Sequence, residues 1–376
     1  MNTKINNLQA LRGLAVLFVI FYHMLNIEHK YNYSFSIIPH FFDIGYVGVD
    51  IFFVISGFIL TTITKDYFGD RSKFYKFIYF RFTRIYPLYW LYTLLLIPIL
   101  FLKPGWIHQQ VNLLSSFLLI PSDKMPLVLV GWTLVYEVYF YIIFGLFILF
   151  GVQKKLWIYA LLWFSFIGIG GIVFNTKSLL LNFITDPWGV EFISGIVLGI
   201  YFLKYDYRIP FAKTLLLISF LSLFIIVYYK NGNLLGVEGW PRILTYGASA
   251  FFLVMFAIEV EKQGSILPKF LIILGDASYS IYLSHLFIIN FIGMVFSMFW
   301  TSGYIYESIM IVTMISVALL AGLFSYKFIE TPIINFAKTY YESRKKAKHD
   351  QKEKSIEIEN NVFSVLGDAT PNLQNS

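Results

Sequence analysis

The sequence predicts an all-α polytopic integral membrane protein of about ten transmembrane helices with both termini cytoplasmic. Three observations carry that prediction. Hydrophobic residues fill 58% of the 376 positions and charged residues only 14%, against roughly 25% charged in a soluble domain, whose surface could not hide so much apolar area. Apolar runs of about the 20 residues that cross roughly 30 Å of hydrocarbon recur from end to end. Lysine and arginine concentrate in every other segment between those runs, as the positive-inside rule requires.

The ten runs are read at 8–26, 45–64, 84–102, 131–150, 156–174, 188–203, 212–229, 242–259, 277–299 and 305–329. With the N-terminus inside, 22 basic residues fall on the cytoplasmic side. Six (Lys30, Lys103, Lys124, Lys177, Lys230 and Arg242) fall outside, and Arg12 lies within the first run. The net charge of +7 is therefore topological. Its dispersal among apolar spans excludes a nucleic-acid surface. Cysteine is absent, which excludes disulfides, thiolate metal sites, a thiol nucleophile and S-acyl anchors. The histidines lack metal-ligand spacing, so no metal site is expected. After Tyr22-His23-Met24 comes Leu25-Asn26-Ile27-Glu28 without a small-x-small cleavage site, so the first run stays in the membrane.

Between the second and third runs, residues 65–83 alternate lysine and arginine with aromatics, an interfacial-helix signature. Asn112 to Ile120 is apolar but too short to cross, and prolines at 104, 121 and 126 bracket it, which suggests a partly re-entrant or surface segment. Residues 1–334 form the membrane domain. From about Asn335 the chain turns to Lys, Glu, Asn, Gln and Ser, so 335–376 reads as a disordered cytoplasmic tail. No internal repeat and no Gly-rich phosphate loop is found.

Ionisable residues inside the runs are the candidates for chemistry, because each costs roughly 2.5–3.5 kcal/mol to insert. Arg12 and His23 are eleven residues apart, a turn of about 1100° and a rise of about 16 Å, so they share one helix face. Taken singly, Arg12 also reads as an anchor snorkelling to the headgroups and His23 as an interhelical hydrogen bond. Asp50 and Glu137 open descending runs more than a turn below the outer surface. There they are either first-turn acids favoured by the helix dipole or partners of His23. Convergence of His23, Asp50 and Glu137 in the outer half would make a general-base site for a hydroxyl. Arg81 and Arg84 stand at the cytoplasmic end of the third run, as lipid-binding charge or as a phosphate clamp. In Leu274-Gly275-Asp276-Ala277-Ser278-Tyr279-Ser280-Ile281-Tyr282-Leu283-Ser284-His285, Asp276 is expected to cap the ninth run. His285 lies one or two turns inside it.

The ordered motifs resemble those of the acyltransferase family 3 membrane proteins. They are Leu8-Gln9-Ala10-Leu11-Arg12-Gly13 with His23, Gly48-Val49-Asp50-Ile51-Phe52-Phe53, Arg81-Phe82-Thr83-Arg84-Ile85-Tyr86-Pro87, Gly131-Trp132-Thr133-Leu134-Val135-Tyr136-Glu137, the ninth-run motif, and Ile329-Glu330-Thr331-Pro332. The resemblance covers about residues 6–334. It implies transfer of an acyl group, usually acetyl, from cytoplasmic acetyl-CoA as co-substrate to a saccharide or lipid-linked saccharide in a bacterial inner or cytoplasmic membrane. It makes His23 the base or acyl relay, with Asp50 and Glu137 supporting it or the acceptor. Arg12, Arg81, Arg84, Ser278, Tyr279 and His285 become donor contacts, the Arg12–His23 separation being comparable to a pantetheine arm. Some relatives carry a fused extracytoplasmic hydrolase-like domain, for which the tail has neither room nor composition. Transfer then finishes in the bundle or needs a separate partner protein, and the acceptor is expected to be an O-antigen or exopolysaccharide unit. The competing reading is a transporter or flippase of a lipid-linked saccharide, whose buried charges line a path. The absence of repeated, broken helices in matching halves weighs against it.

Overall fold

In a membrane a backbone must satisfy its own hydrogen bonds, so long apolar runs fold as helices. The computed structural model describes residues 4–31, 37–102, 110–173, 178–205, 211–229, 238–299 and 303–368. Among the described residues nine helical segments are long and apolar enough to cross a membrane, and a tenth apolar stretch, Lys213–Phe224, is shorter. This is a multi-pass membrane protein. Lys103, Lys177, Arg208, Lys230 and Pro104 lie outside the described residues.

Helix α1 spans Asn6–Lys30, α2 Val47–Ile63 and α3 Arg71–Leu102. The short α4 covers Leu113–Leu118, and α5 runs Trp132–Phe150. Next come α6, Leu156–Val173, α7, Leu179–Ile184, and α8, Trp188–Lys204. They are followed by α9, Ala212–Tyr229, α10, Gly239–Arg242, and α11, Ala248–Lys262. The series closes with α12, Lys269–Asp276, α13, Ser278–Phe299, α14, Tyr304–Ser325, and α15, Thr331–Asp368. Wide π-helical turns join α10 to α11 at Ile243–Gly247 and α14 to α15 at Tyr326–Glu330.

Helix α1 is central and packs on α2, α11, α12 and α13. Glycines set its closest approach: a β-carbon on Gly13 would overlap the Leu271 carbonyl oxygen, and one on Gly275 the Gln9 carbonyl oxygen. The α2–α8 crossing is built alike, with Gly57 against the Phe192 carbonyl and Gly195 against that of Val54. Small residues that let backbones touch are the usual basis of helix association in lipid. The N-terminus of α1 is tied down as well, since the Asn6 and Asn7 amides donate to the Glu261 carboxylate at 3.0 and 2.6 Å. Exposed Leu161, Ile169, Phe220, Leu320 and Phe324 form outer faces suited to lipid.

Four expectations change. Residues 65–83 do not form a separate interfacial helix, because from Arg71 onward they belong to the 32-residue α3, which continues through Pro87 and Pro98. Such a helix is about 48 Å long, so its first turns project beyond a bilayer core. Asp276 does not cap α13 but pairs with Lys4 at 2.7 Å, because it closes α12 only two residues earlier. The segment 335–376 was expected to be disordered, yet it is helical to Asp368. A stretch free of proline and rich in Lys and Glu propagates a helix even where it cannot build a core. The fourth change concerns the convergence of His23, Asp50 and Glu137, taken up with the site below.

The segment before α5 enters the bundle. Asn112 caps α4 by accepting from the Ser115 amide at 3.1 Å. The carbonyls of Ser116, Phe117 and Leu118 each accept a bond of 2.9 Å, from Tyr89, Trp90 and Tyr86 of α3 respectively. Irregular backbone at this depth is tolerated because protein groups satisfy it.

Candidate active site

Arg81 and Arg84 lie on one face of α3, three residues apart. They meet Arg12 of α1, Glu137 and Tyr141 of α5, and Ser278 and Tyr279 of α13 around an inner cavity of about 310 Å³. Arg12 donates to Ser278 Oγ at 2.8 Å and to Gln9 Oε1 at 3.3 Å. Arg84 pairs with Glu330, whose other oxygen accepts from Ser280 Oγ at 2.6 Å. The Arg81 guanidinium lies 5.6 Å from the Tyr141 ring centroid and that of Arg84 5.3 Å from Tyr279. Tyr141 donates its hydroxyl hydrogen to Glu137, and Tyr279 donates to the Ile85 carbonyl at 2.7 Å.

Among the described residues neither Arg12 nor Arg81 has an ion-pair partner, and the buried Nε of Arg81 makes no hydrogen bond. Guanidiniums without a directly bonded carboxylate are costly within a bundle, and a cavity lined by them can take an anion. It opens through Gln9, Arg12, Arg81 and Arg84 into a vestibule of about 1100 Å³ between α3 and α15.

At the opposite end, Tyr282 of α13 closes the cavity. Its hydroxyl lies 3.0 Å from Thr133 Oγ1 and 3.3 Å from the Val130 carbonyl. Beyond it lie the two histidines, the His285 ring centroid 5.2 Å from that of His23 and 5.8 Å from Tyr282. His285 is fully buried, with Nδ1 2.7 Å from the Tyr282 carbonyl. A carbonyl only accepts, so Nδ1 donates and the neutral ring keeps its lone pair on Nε2. Among the described residues that Nε2 has no partner.

The face shared by Arg12 and His23 is turned toward α13, where Ser278 and His285 sit seven residues, or nearly two full turns, apart. The outer-half cluster of His23, Asp50 and Glu137 does not form. No hydrogen bond or ion pair among the described residues joins the three, and the reason is azimuth. Val49, Phe52, Phe53 and Ser56 are the α2 residues turned to the inner cavity, while Asp50, about 100° around the helix, faces away. Asp50 is fully buried and pairs instead with Arg242, itself 4% exposed. The Arg242 guanidinium is boxed by Trp188, Tyr46 and Tyr246 at 4.3, 4.4 and 4.9 Å from their ring centroids. Buried Glu191 lies beside Asp50. Glu137 turns to the arginines of the inner cavity.

Several site residues were not singled out from sequence: Glu330, Tyr141, Thr133, Tyr282, Glu191 and Arg242. Glu330 stands in a motif of the resemblance but carried no role, and Arg242 was counted as an outer-loop charge. The π turn Ile243–Gly247 packs on α2, and Arg242 just before it reaches Asp50 of that helix. No grouping of His, Asp and Glu suited to a metal ion occurs among the described residues.

The acyltransferase domain family matches residues 5–326. The chain is 32% identical over 269 residues to the exopolysaccharide production protein ExoZ of Rhizobium meliloti (strain 1021), covering 68% of this chain and 80% of that one. It is 29% identical to a putative acetyltransferase, ORF330, of Acidianus two-tailed virus, covering 76% of this chain and 83% of the relative. It is 26% identical to the O-acetyltransferase OatA of Staphylococcus aureus (strain NCTC 8325 / PS 47). That match covers 87% of this chain but 56% of the relative. No solved structure matches. The chain belongs to the acyltransferase family 3 membrane proteins and is an acyltransferase.

Proposed function

We propose that this protein transfers an acetyl group from cytoplasmic acetyl-CoA to a hydroxyl of a surface polysaccharide, an exopolysaccharide or O-antigen unit, in a cytoplasmic membrane. The observation that carries the reading is the connected pair of cavities, wide and cationic at one end, passing two unpaired arginines and ending at Tyr282 beneath the two histidines. The names of two relatives support acetyl as the group and a polysaccharide as the acceptor.

In this reading Arg81 and Arg84 receive the diphosphate, and Arg12 with Ser278 and Tyr279 lines the path of the pantetheine arm. The thioester passes Tyr282 to reach His23. There the acceptor hydroxyl oxygen attacks the acetyl carbon while its proton moves to His23. The carbon–sulfur bond then breaks, and the leaving sulfur takes that proton, so an ester and a free thiol result. His285, whose ring adjoins that of His23, acts as a positioning residue. Glu137 and Glu330 balance the arginines. Asp50 is a structural ion pair that holds α2 against the chain around Arg242, without touching substrate.

Purified protein given acetyl-CoA and its acceptor polysaccharide should release thiol in step with acceptor acetylation. Arg81→Ala removes charge-assisted hydrogen bonds to phosphate, so the KM for acetyl-CoA should rise about tenfold or more with less effect on kcat. An unchanged KM removes the arginine clamp. Saccharide flux across vesicles without any acyl transfer would replace the enzyme with a transporter.

A further inference from the structure

The vestibule has a wall that the family match does not include. The match ends at residue 326, yet Ile334, Asn335, Lys338, Tyr341 and Lys345 of α15 line the chamber leading to Arg81 and Arg84. This wall is attached to α3. Tyr79 donates to the Ala337 carbonyl at 3.0 Å, and the Tyr341 ring rests on Tyr79 and Phe80 with centroids 5.4 and 5.3 Å apart. Lys338, Tyr341 and Lys345 are spaced three and four residues apart, so the two ammonium groups flank one aromatic ring on a single helix face.

The opposite wall differs. Lys73 is bound to the Asp66 carbonyl at 2.6 Å, and Lys76 lies over the Tyr67 ring at 5.6 Å. Among the described residues Lys338 and Lys345 have no ion-pair partner, which leaves their donors for a ligand. The chamber also holds the aromatic faces of Phe80 and Tyr341 and the acceptors Asn335 and Glu342. A simple anion trap needs none of these. Paired cations, flat aromatic faces and amide or carboxylate acceptors together suit a phosphorylated purine nucleoside, whose base stacks, whose amino group donates and whose phosphate takes the lysines. At about 1100 Å³ the chamber is near the upper end of ligand pockets, roughly 300–1,000 Å³.

We propose that α15 completes the donor site, with Lys338 and Lys345 holding the 3′-phosphate of the adenosine end of acyl-CoA and its purine lying against Tyr341 and Phe80. This rests on the acyl-CoA reading above. It assigns the recognition of the nucleotide to a helix outside the family domain, with the diphosphate at Arg81 and Arg84 one step further in.

The test compares acetyl-CoA with acetyl-3′-dephospho-CoA on the full chain in neutral detergent free of anionic lipid. For the wild type, kcat/KM should favour acetyl-CoA by about tenfold, in line with loss of a charge-assisted hydrogen bond. In K338A/K345A that preference should collapse toward unity, and K338R/K345R should restore it. Both lysines are exposed, so folding is not at stake. A double variant that keeps the wild-type preference overturns this inference alone. So does one that loses retention on phosphatidylglycerol vesicles while keeping the preference, since the lysines would then serve lipid. A wild type that releases no thiol from acetyl-CoA overturns the acyl-transfer reading and this inference with it.

Discussion

Arg242 and Asp50 carry their charges at 4% and 0% exposure. Breaking such a pair by removing one partner costs about 3–5 kcal/mol, while replacing both with apolar groups is often near neutral. Arg242→Leu should therefore lower the melting temperature in detergent by more than Asp50→Leu/Arg242→Leu does, and an equal fall in both would deny the pair its structural role. The contrast with Arg12 and Arg81 separates two settings at this scale: the Arg242 guanidinium is held by a carboxylate and three aromatic rings, while among the described residues Arg12 and Arg81 have no ion-pair partner and line a cavity. Much of the inner site was legible residue by residue. Arg12, Arg81, Arg84, Ser278 and Tyr279 were assigned to the donor by the family resemblance and line one cavity, whereas His285, assigned with them, lies beside His23. Asp50 was misplaced because a one-dimensional run gives depth but leaves the facing neighbour open. Nothing in the sequence near Asp50 names a partner 192 positions away.

Among the elements, α1 depends on α12 as much as on its own apolar face. The Gly13 and Gly275 contacts bring two backbones together without side chains between them, which positions Arg12 against Ser278. Gly275→Leu should overpack this crossing, costing about 1–3 kcal/mol. It should also weaken donor binding by moving Arg12, read as a lower melting temperature together with a raised KM. A variant as stable and as active as the wild type would show that the helices separate at no cost. Helix α3 teaches a related lesson about reading elements. The basic-aromatic stretch and the apolar run after it differ in composition, which invites a boundary at Arg84, yet hydrogen bonding along the backbone does not register that change. The short α4 was legible from its length and flanking prolines, and its satisfied carbonyls explain why it can enter the bundle.

Across the whole molecule, ten apolar runs were countable because hydrocarbon thickness fixes their length. Among the described residues nine helical segments are long enough to cross, with the shorter Lys213–Phe224 beside them. What composition could not reveal is the helical tail and its apposition to the vestibule, since hydrophilic sequence says nothing about which groove it lies along. The charge bias predicts the orientation. The chain has no cysteine, so a single introduced thiol reports one position without background. Lys124→Cys should react with an impermeant maleimide from outside intact cells, and Lys154→Cys only after permeabilisation. The reverse pattern would invert the topology and put the vestibule on the wrong side for acetyl-CoA.

The central claim is that acetyl travels the length of the bundle and is delivered under His23. Proteoliposomes with the protein in one orientation, acetyl-labelled CoA on the vestibule side and acceptor polysaccharide on the other, test it directly. The wild type should place label on the acceptor across the membrane. His23→Ala should bind acetyl-CoA as before and lose about 10²–10⁴-fold in transfer, the usual worth of a general base. Label confined to the donor side, or transfer by His23→Ala at the wild-type rate, would contradict the account.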